Sequence, residues 1–328
     1  MSRSRTRWST LLAALAPFLG LVLILVLIAI YGQLFKPDVE FFTSHRLALI
    51  AKQTAIVGLG ALGMTGIIAA GGIDLSVGSM LALTSVTLAQ TLTWGWSPAW
   101  ALLATLAVGS AAGALNGILI TSLRIVPFIV TLGTMLAYRG LAEALADERK
   151  IAANAPGWLA NLLNPPAAGS LQLLPSGVWL VLVIGVALAL VLRRSVFGRH
   201  VFAIGSSEAT ARLCGVPVER RKIEIYALCG LLMAMAGVLE FNSLNSQGSP
   251  SSGSGKELDI IAAVVIGGGS LSGGRGSVLG SLVGALIMNT LRSGCVFAEI
   301  GEPVQKMVTG AIIIAAIALD RTRSRETS

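Results

Sequence analysis

The chain has 328 residues, 54% of them hydrophobic and only 12% charged, with a mean hydropathy of +0.80 and a formal net charge of +8. Soluble domains carry about 25% charged residues, so this composition excludes a water-soluble enzyme or binding module and indicates a chain that crosses a membrane many times. The cysteines Cys214, Cys229 and Cys295 form no C-x-x-C pair, and His45 and His200 are remote from one another, which argues against a disulfide framework or a zinc site.

The chain opens on MSRSRTRW, a basic start, and continues in an apolar run from Leu11 to Ile30. That run is longer than a signal-peptide core and no A-x-A-like site follows it, so it reads as a retained anchor over 11–31. Further apolar stretches near the ~20-residue span length lie at about 48–70, 98–122, 126–146, 177–192, 223–243, 277–297 and 303–319. Two shorter, glycine-interrupted stretches at about 75–93 and 258–270 bring the expected total to ten crossings. With the N-terminus inside, Arg3, Arg5, Arg7, Arg124, Arg193, Arg194, Arg199, Arg212, Arg220, Arg221, Lys222, Arg275 and the C-terminal arginines all fall on the cytoplasmic side, as the positive-inside rule requires. The same asymmetry accounts for the net charge without any nucleic-acid partner.

After the second span comes GIIAAGGIDLSVGSM, which places Asp74 in an oily, glycine-rich run. A carboxylate at membrane depth costs roughly 2.5 to 3.5 kcal/mol on insertion scales and needs a partner or a purpose. Two readings compete. Asp74 caps the first turn of a broken span and satisfies backbone N–H groups that lipid cannot, or it contributes polarity to a water-filled path. A related pattern, VVIGGGSLSGGRGSVLGSLVGAL, follows the eighth span, so Gly71, Gly72, Asp74, Ser76 and Gly78 on one side and Gly268, Gly269, Gly273 and Gly274 on the other are candidate break or gating positions. The two segments suggest a duplicated helical unit, although two glycine-rich membrane segments can also agree by chance. Gly109, Gly113 and Gly117, and again Gly276, Gly280 and Gly284, recur every four residues, a spacing for close helix packing inside the protein or between copies.

The outer segment 147–176, rich in Pro, Asn and Trp, is either a docking face for an external partner or a plain connector. The polar segment 193–222 carries a short helix over about 206–216: Ser206 or Ser207 caps it, Glu208 suits its first turn, and Gly215 with Pro217 ends it. So short a helix is marginal in water and needs a surface to hold it, with Ala209, Ala211, Leu213 and Val216 as its apolar positions. A phosphate-binding loop at GSPSSGSGKEL fails on Pro250 and Glu257, and no G-x-S-x-G or H-E-x-x-H pattern occurs, so the chain offers no enzyme chemistry.

GGIDLSVGSMLAL (71–83), PFIVTLGTMLAYRGLA (127–142), FGRHVFAIGSSEATARLCGVPVERRK (197–222) and VVIGGGSLSGGRGSVLGSLVGALI (264–287) resemble, in order, the permease subunits of bacterial ribose/xylose/arabinose-type ABC sugar importers. The resemblance implies an all-α permease of about ten spans in an inner membrane, one domain over 1–328 with related halves (about 11–192 and 223–320) joined by a cytoplasmic coupling loop at 193–222. It implies a second permease subunit, identical or different, two cytoplasmic ATP-binding subunits that hold the ATP and magnesium, and a periplasmic sugar-binding protein, with no cofactor on this chain. By the same resemblance Gly205, Ser206, Ser207, Glu208, Ala209, Ala211, Arg212, Leu213 and Gly215 form the contact with the ATPase.

Modest polarity along a path suits a sugar, and Gln53, Thr54, Gln90, Asn116, Thr131, Asn242 and Asn289 are candidate lining groups, each equally able to serve as an interhelical hydrogen bond. Arg139, Glu143 and Arg292 are expected to pair within the membrane or to snorkel. The alternatives are an importer of the same kind for a nucleoside or branched-chain amino acid, and a stand-alone channel or facilitator.

Overall fold

The computed structural model describes residues 3–164 and 174–325. The chain runs through α1 (Arg3–Phe35), α2 (Ser44–Ala69), α3 (Val77–Thr93), α4 (Pro98–Leu123), α5 (Pro127–Leu145), β1 (Ile151–Ala152), α6 (Gly157–Ala160), α7 (Ser176–Arg194), α8 (Val196–Ser206), α9 (Glu208–Leu213), α10 (Val218–Ser243), β2 (Gln247–Gly248), α11 (Lys256–Ile266), α12 (Val278–Phe297) and α13 (Glu302–Arg325). Each apolar segment expected to span falls on one of these helices. Among the described residues, α1 from Ala16 onward, α2, α4, α5, α7, α10 and α12 are long and apolar enough to cross a membrane unaided. The two glycine-interrupted segments are shorter: α3 has 17 residues and α11 only 11. An 11-residue helix rises about 16 Å, roughly half the hydrocarbon thickness.

The centre of the fold is α10, which packs on α4, α2 and α3. Small residues bring the backbones together. A Cβ at Gly109 would strike the Gly230 carbonyl, one at Gly113 the Tyr226 carbonyl, and one at Gly117 would lie 2.6 Å from the Cα of Ile223. The second glycine ridge does the same for α12, with Gly280 against Gly267 and Gly284 against the Ala263 carbonyl at the α11 contact. Both ridges are therefore internal packing surfaces. Around them, Leu19 and Leu23 of α1, Leu136 of α5 and Val183 and Val186 of α7 point outward, as a lipid-facing surface requires.

The molecule has two chemically distinct ends. Trp94, Trp96, Trp100, Trp158 and Trp179 are exposed where α3 ends and where α4, α6 and α7 begin, the pattern of an interfacial aromatic belt. Arg193, Arg194, Arg199, Arg212, Arg220 and Arg221 cluster at the opposite end, around α8, α9 and the start of α10. On the tryptophan side, β1 pairs antiparallel with β2, and Asn242 ties the outer segment down by accepting from the Leu163 N–H (2.8 Å) and donating to the Leu159 carbonyl (3.2 Å). Part of the outer segment considered as a docking face, 165–173, lies outside the described residues.

Beyond β2 the chain does not stay at the surface. Gly248 packs on Val86 and Ala89 of α3, and Gly253 packs on Gly78, about 12 Å further along that helix. The stretch 249–255, SPSSGSG, thus dips into the bundle, and α11 starts at depth. Irregular backbone at this level must be held by protein, and Arg139 of α5 donates to the carbonyl oxygens of Pro250 and of Ser252 (2.7 Å). Lys256 pairs with Glu240 at 2.8 Å, both largely buried, at the start of α11.

If close backbone contact sets the α4–α10 spacing, Gly113→Ala overpacks it and lowers stability by about 1–3 kcal/mol. Gly133→Ala, within helix α5 but with open space where its Cβ would lie, is neutral or slightly stabilising. Thermal unfolding of the two purified variants in detergent checks the difference.

Candidate functional site

The first helix break is built around Asp74. Helix α2 stops where Gly71 takes a φ of +80°, its N–H bonding to the Ile68 carbonyl and that of Gly72 to the Ile67 carbonyl. Helix α11 stops in the same way at Gly268, φ +91°, with the Gly268 and Gly269 N–H groups on the carbonyls of Val265 and Val264. Both are glycine C-caps in which a left-handed residue recovers the orphaned carbonyls.

Past its cap the first break turns back into the bundle. Asp74 is fully buried, and its carboxylate accepts from the Ser76 N–H (2.8 Å), the Ser76 hydroxyl (2.6 Å) and the Asn116 amide (3.3 Å). Asn116 also donates to the Ser76 hydroxyl at 2.8 Å, and the Tyr138 hydroxyl reaches the Asn116 side-chain oxygen (3.1 Å) and the Ala112 carbonyl (2.8 Å). Thr131 accepts from the Leu75 N–H at 3.1 Å. The carboxylate thus satisfies backbone and side-chain donors of a non-helical segment in the way a cap does.

Asn116 and Thr131 are fully buried and bonded to the break, and Asn242 is bonded to the outer segment. Gln53 is exposed and Thr54 and Gln90 are half-buried. Asn289 donates to the Ala285 carbonyl of its own helix and borders a cleft between α11, α12 and α13.

The cytoplasmic loop of the sequence reading forms two helices. Ser207, one of the two expected caps, accepts from the Thr210 N–H at 3.2 Å and starts α9, which ends before Gly215 at φ +79°. The helix α8 before it was not anticipated. Its signals were present in Ser195, which accepts from the Gly198 N–H (3.1 Å), and in the helical spacing of the buried Gly198, Val201 and Ile204. Ala211 packs inward with Ile204 and Val218, and Val216 joins them, while Ala209 and Arg212 are exposed and Leu213 is 89% exposed at the tip.

An ion-pair chain fastens α9 to α10. Glu208 meets Lys222 at 2.7 Å and Arg212 at 3.1 Å, and Arg212 continues to Glu219. Burial pushes the Glu208 carboxyl up, but the hydrogen bonds and charges of Lys222 and Arg212 outweigh it and hold it below the usual range. The Arg212 guanidinium does the same to Glu219.

The other end of the helix pair is a backbone contact. A Cβ at Gly205 would collide with the Ala69 carbonyl, which itself accepts from the Gly274 N–H at 2.9 Å, and would lie 2.5 Å from that nitrogen. Gly273 and Gly274, at φ +86° and +74°, lie against Gly205 and Ser206, and Gly71 faces the Gly205 Cα. The C-terminus of α8 therefore touches both helix breaks at once.

Two outcomes follow for these residues. Asp74→Ala strands the Ser76 donors and the Asn116 amide, at about 1–3 kcal/mol per unsatisfied group, and lowers the melting temperature more than it changes substrate selectivity. Glu208→Gln imitates protonation: because the folded carboxyl titrates below its unfolded value, its contribution is present at neutral pH and lost as pH falls through the depressed value. The pairs are partly exposed, so hydrogen exchange of 208–216 at pH 7 should quicken by about two- to fivefold.

The family model described as branched-chain amino acid transport system / permease component matches residues 46–317. The chain is 37% identical to the ribose import permease protein of Escherichia coli (strain K12) over 310 residues, 93% of each chain. It is also 37% identical to that of Bacillus subtilis (strain 168) over 322 residues, 98% of this chain and 97% of the relative. A fructose import permease protein of Rhizobium meliloti is 36% identical over 305 residues, 92% of this chain and 84% of the relative. No solved structure matches. A bundle of membrane-length helices with two internal breaks, matched over most of its length by permease components, belongs to this permease family of ABC importers.

Proposed function

We propose that the chain is the membrane-spanning subunit of an ATP-driven importer for a monosaccharide, a pentose or hexose, delivered by an external sugar-binding protein. It works beside a second permease subunit and with cytoplasmic ATP-binding subunits, and makes ten crossings with both termini inside and two related halves. The matching glycine caps of α2 and α11 support the related halves, and the arginine-rich end supports the orientation. Ribose and fructose import permeases among the relatives favour a sugar over an amino acid.

One observation carries the mechanism: α8 and α9 present an exposed leucine at one end and are wedged by Gly205 against both breaks at the other. An ATP-binding subunit that grips α9 at Leu213 and Ala209 moves α8, and α8 has no slack at Gly205, so the ends of α2 and α12 must follow. This alternates the access of the path to the two sides. A stand-alone facilitator would have no use for a leucine held in water.

The first experiment is purification of the tagged chain with its associated proteins, with Leu213→Arg as the probe. Leu213 is nearly free of contacts within this chain, so the variant keeps its melting temperature, while it loses the ATP-binding subunit and sugar uptake by about tenfold or more, the scale of a hot-spot contact. Full uptake by Leu213→Arg would overturn the coupling role of α9.

A further inference from the structure

Where the dip at 249–255 meets α11, a cleft of about 400 Å³ opens between α11, α12 and α13. That volume falls in the range of small-molecule sites. Its walls combine apolar groups such as Met288 and Ile313 with Asn289, Gln305 and Thr309, one ion pair spans it from α12 to α11, and a second lies along α13 at its edge. Arg292 faces Asp259 at 3.6 Å, and Lys306 meets Glu302 at 3.0 Å.

Two physical features narrow what the cleft can hold. Its charged groups cancel, two acids against two bases, so the cleft favours neither a cation nor an anion. The Arg292–Asp259 separation is also beyond hydrogen-bond length, so a hydroxyl can donate to Asp259 and another accept from Arg292 without breaking a tight bond. Arg292 is more than half exposed on α12, and a guanidinium facing lipid would be costly, which favours a mouth that opens to water. Ser254 and Gly255 make the cleft continuous with the dip.

We propose that this cleft is a transit site that binds the sugar itself, as a neutral polyhydroxylated molecule, with Asp259 and Arg292 engaging its hydroxyls and the side-chain oxygens of Asn289 and Gln305 accepting from them. The inference rests on the sugar-importer reading and adds to it a place on the path. Binding there is weak by construction, because the groups are few and partly wet, and weak binding is what a passage needs.

The test uses the assembled importer in lipid vesicles. Uptake of D-ribose, D-fructose and D-xylose is measured first, to find the transported sugar. Asn289→Cys and, separately, Thr309→Cys are then placed in a background carrying Cys214→Ser and Cys295→Ser, and the rate of labelling by a small charged thiosulfonate is followed. The transported sugar should slow labelling at both positions, by about threefold at twice its dissociation constant, while mannitol leaves it unchanged. Asp259→Asn should raise the KM for uptake. Unprotected labelling in an importer that does take up the sugar overturns the transit site and leaves the importer reading standing. An assembled wild-type importer that takes up none of the three sugars removes the sugar reading, and the transit site with it.

Discussion

Backbone that leaves helical geometry inside a bilayer has to find hydrogen-bond partners within the protein, and this requirement shapes the whole fold. The chain departs from helix in three places at depth: the two glycine breaks and the dip before α11. Each is held by a different device. The first break relies on the carboxylate of Asp74 and the amide of Asn116, the second on paired glycine caps and the Gly274 bond to Ala69, and the dip on the guanidinium of Arg139. In each of the three, at least one partner belongs to another helix: Asn116 to α4, Ala69 to α2 and Arg139 to α5. No break can therefore shift without moving a neighbour, and the irregular segments act as joints between rigid rods.

The helix pair α8–α9 is set on these joints. Its ion pairs to α10 are partly exposed and worth little individually, but they orient α9 so that Leu213 faces outward. The contact at Gly205 is of another kind, for it is backbone on backbone with no room for a single extra carbon. Side chains can swing to absorb a push; a stack of three main chains cannot. The pair is thus adjustable at its outer end and unyielding at its inner one.

Much of this was legible in the sequence. Long apolar runs gave the helices, and the glycines at four-residue spacing gave the close packing faces. Gly71–Gly72 and Gly268–Gly269 marked the breaks, and Ser207 with Gly215 framed α9. What could not be read was which segments meet. Asn116, Thr131 and Asn242 are polar residues in spans, and only the fold shows what each meets: Asn116 the side chains of Asp74 and Ser76, Thr131 the Leu75 N–H, and Asn242 the main chain around Leu159 and Leu163. The dip was hidden for a related reason. SPSSGSG has the composition of a surface loop, and its depth depends on Gly248 and Gly253 meeting α3. Helix α8 escaped because glycines and polar residues interrupt its apolar face.

Arg139 grips the dip by the carbonyl oxygens of Pro250 and Ser252, so it reads the main chain and is indifferent to what the side chains are. The exposed side chains of Ser251 and Ser254 are consequently free to be exchanged while the segment keeps its position in the bundle. A lineage of such proteins can retune the chemistry of this wall one residue at a time, with the architecture that supports it left undisturbed.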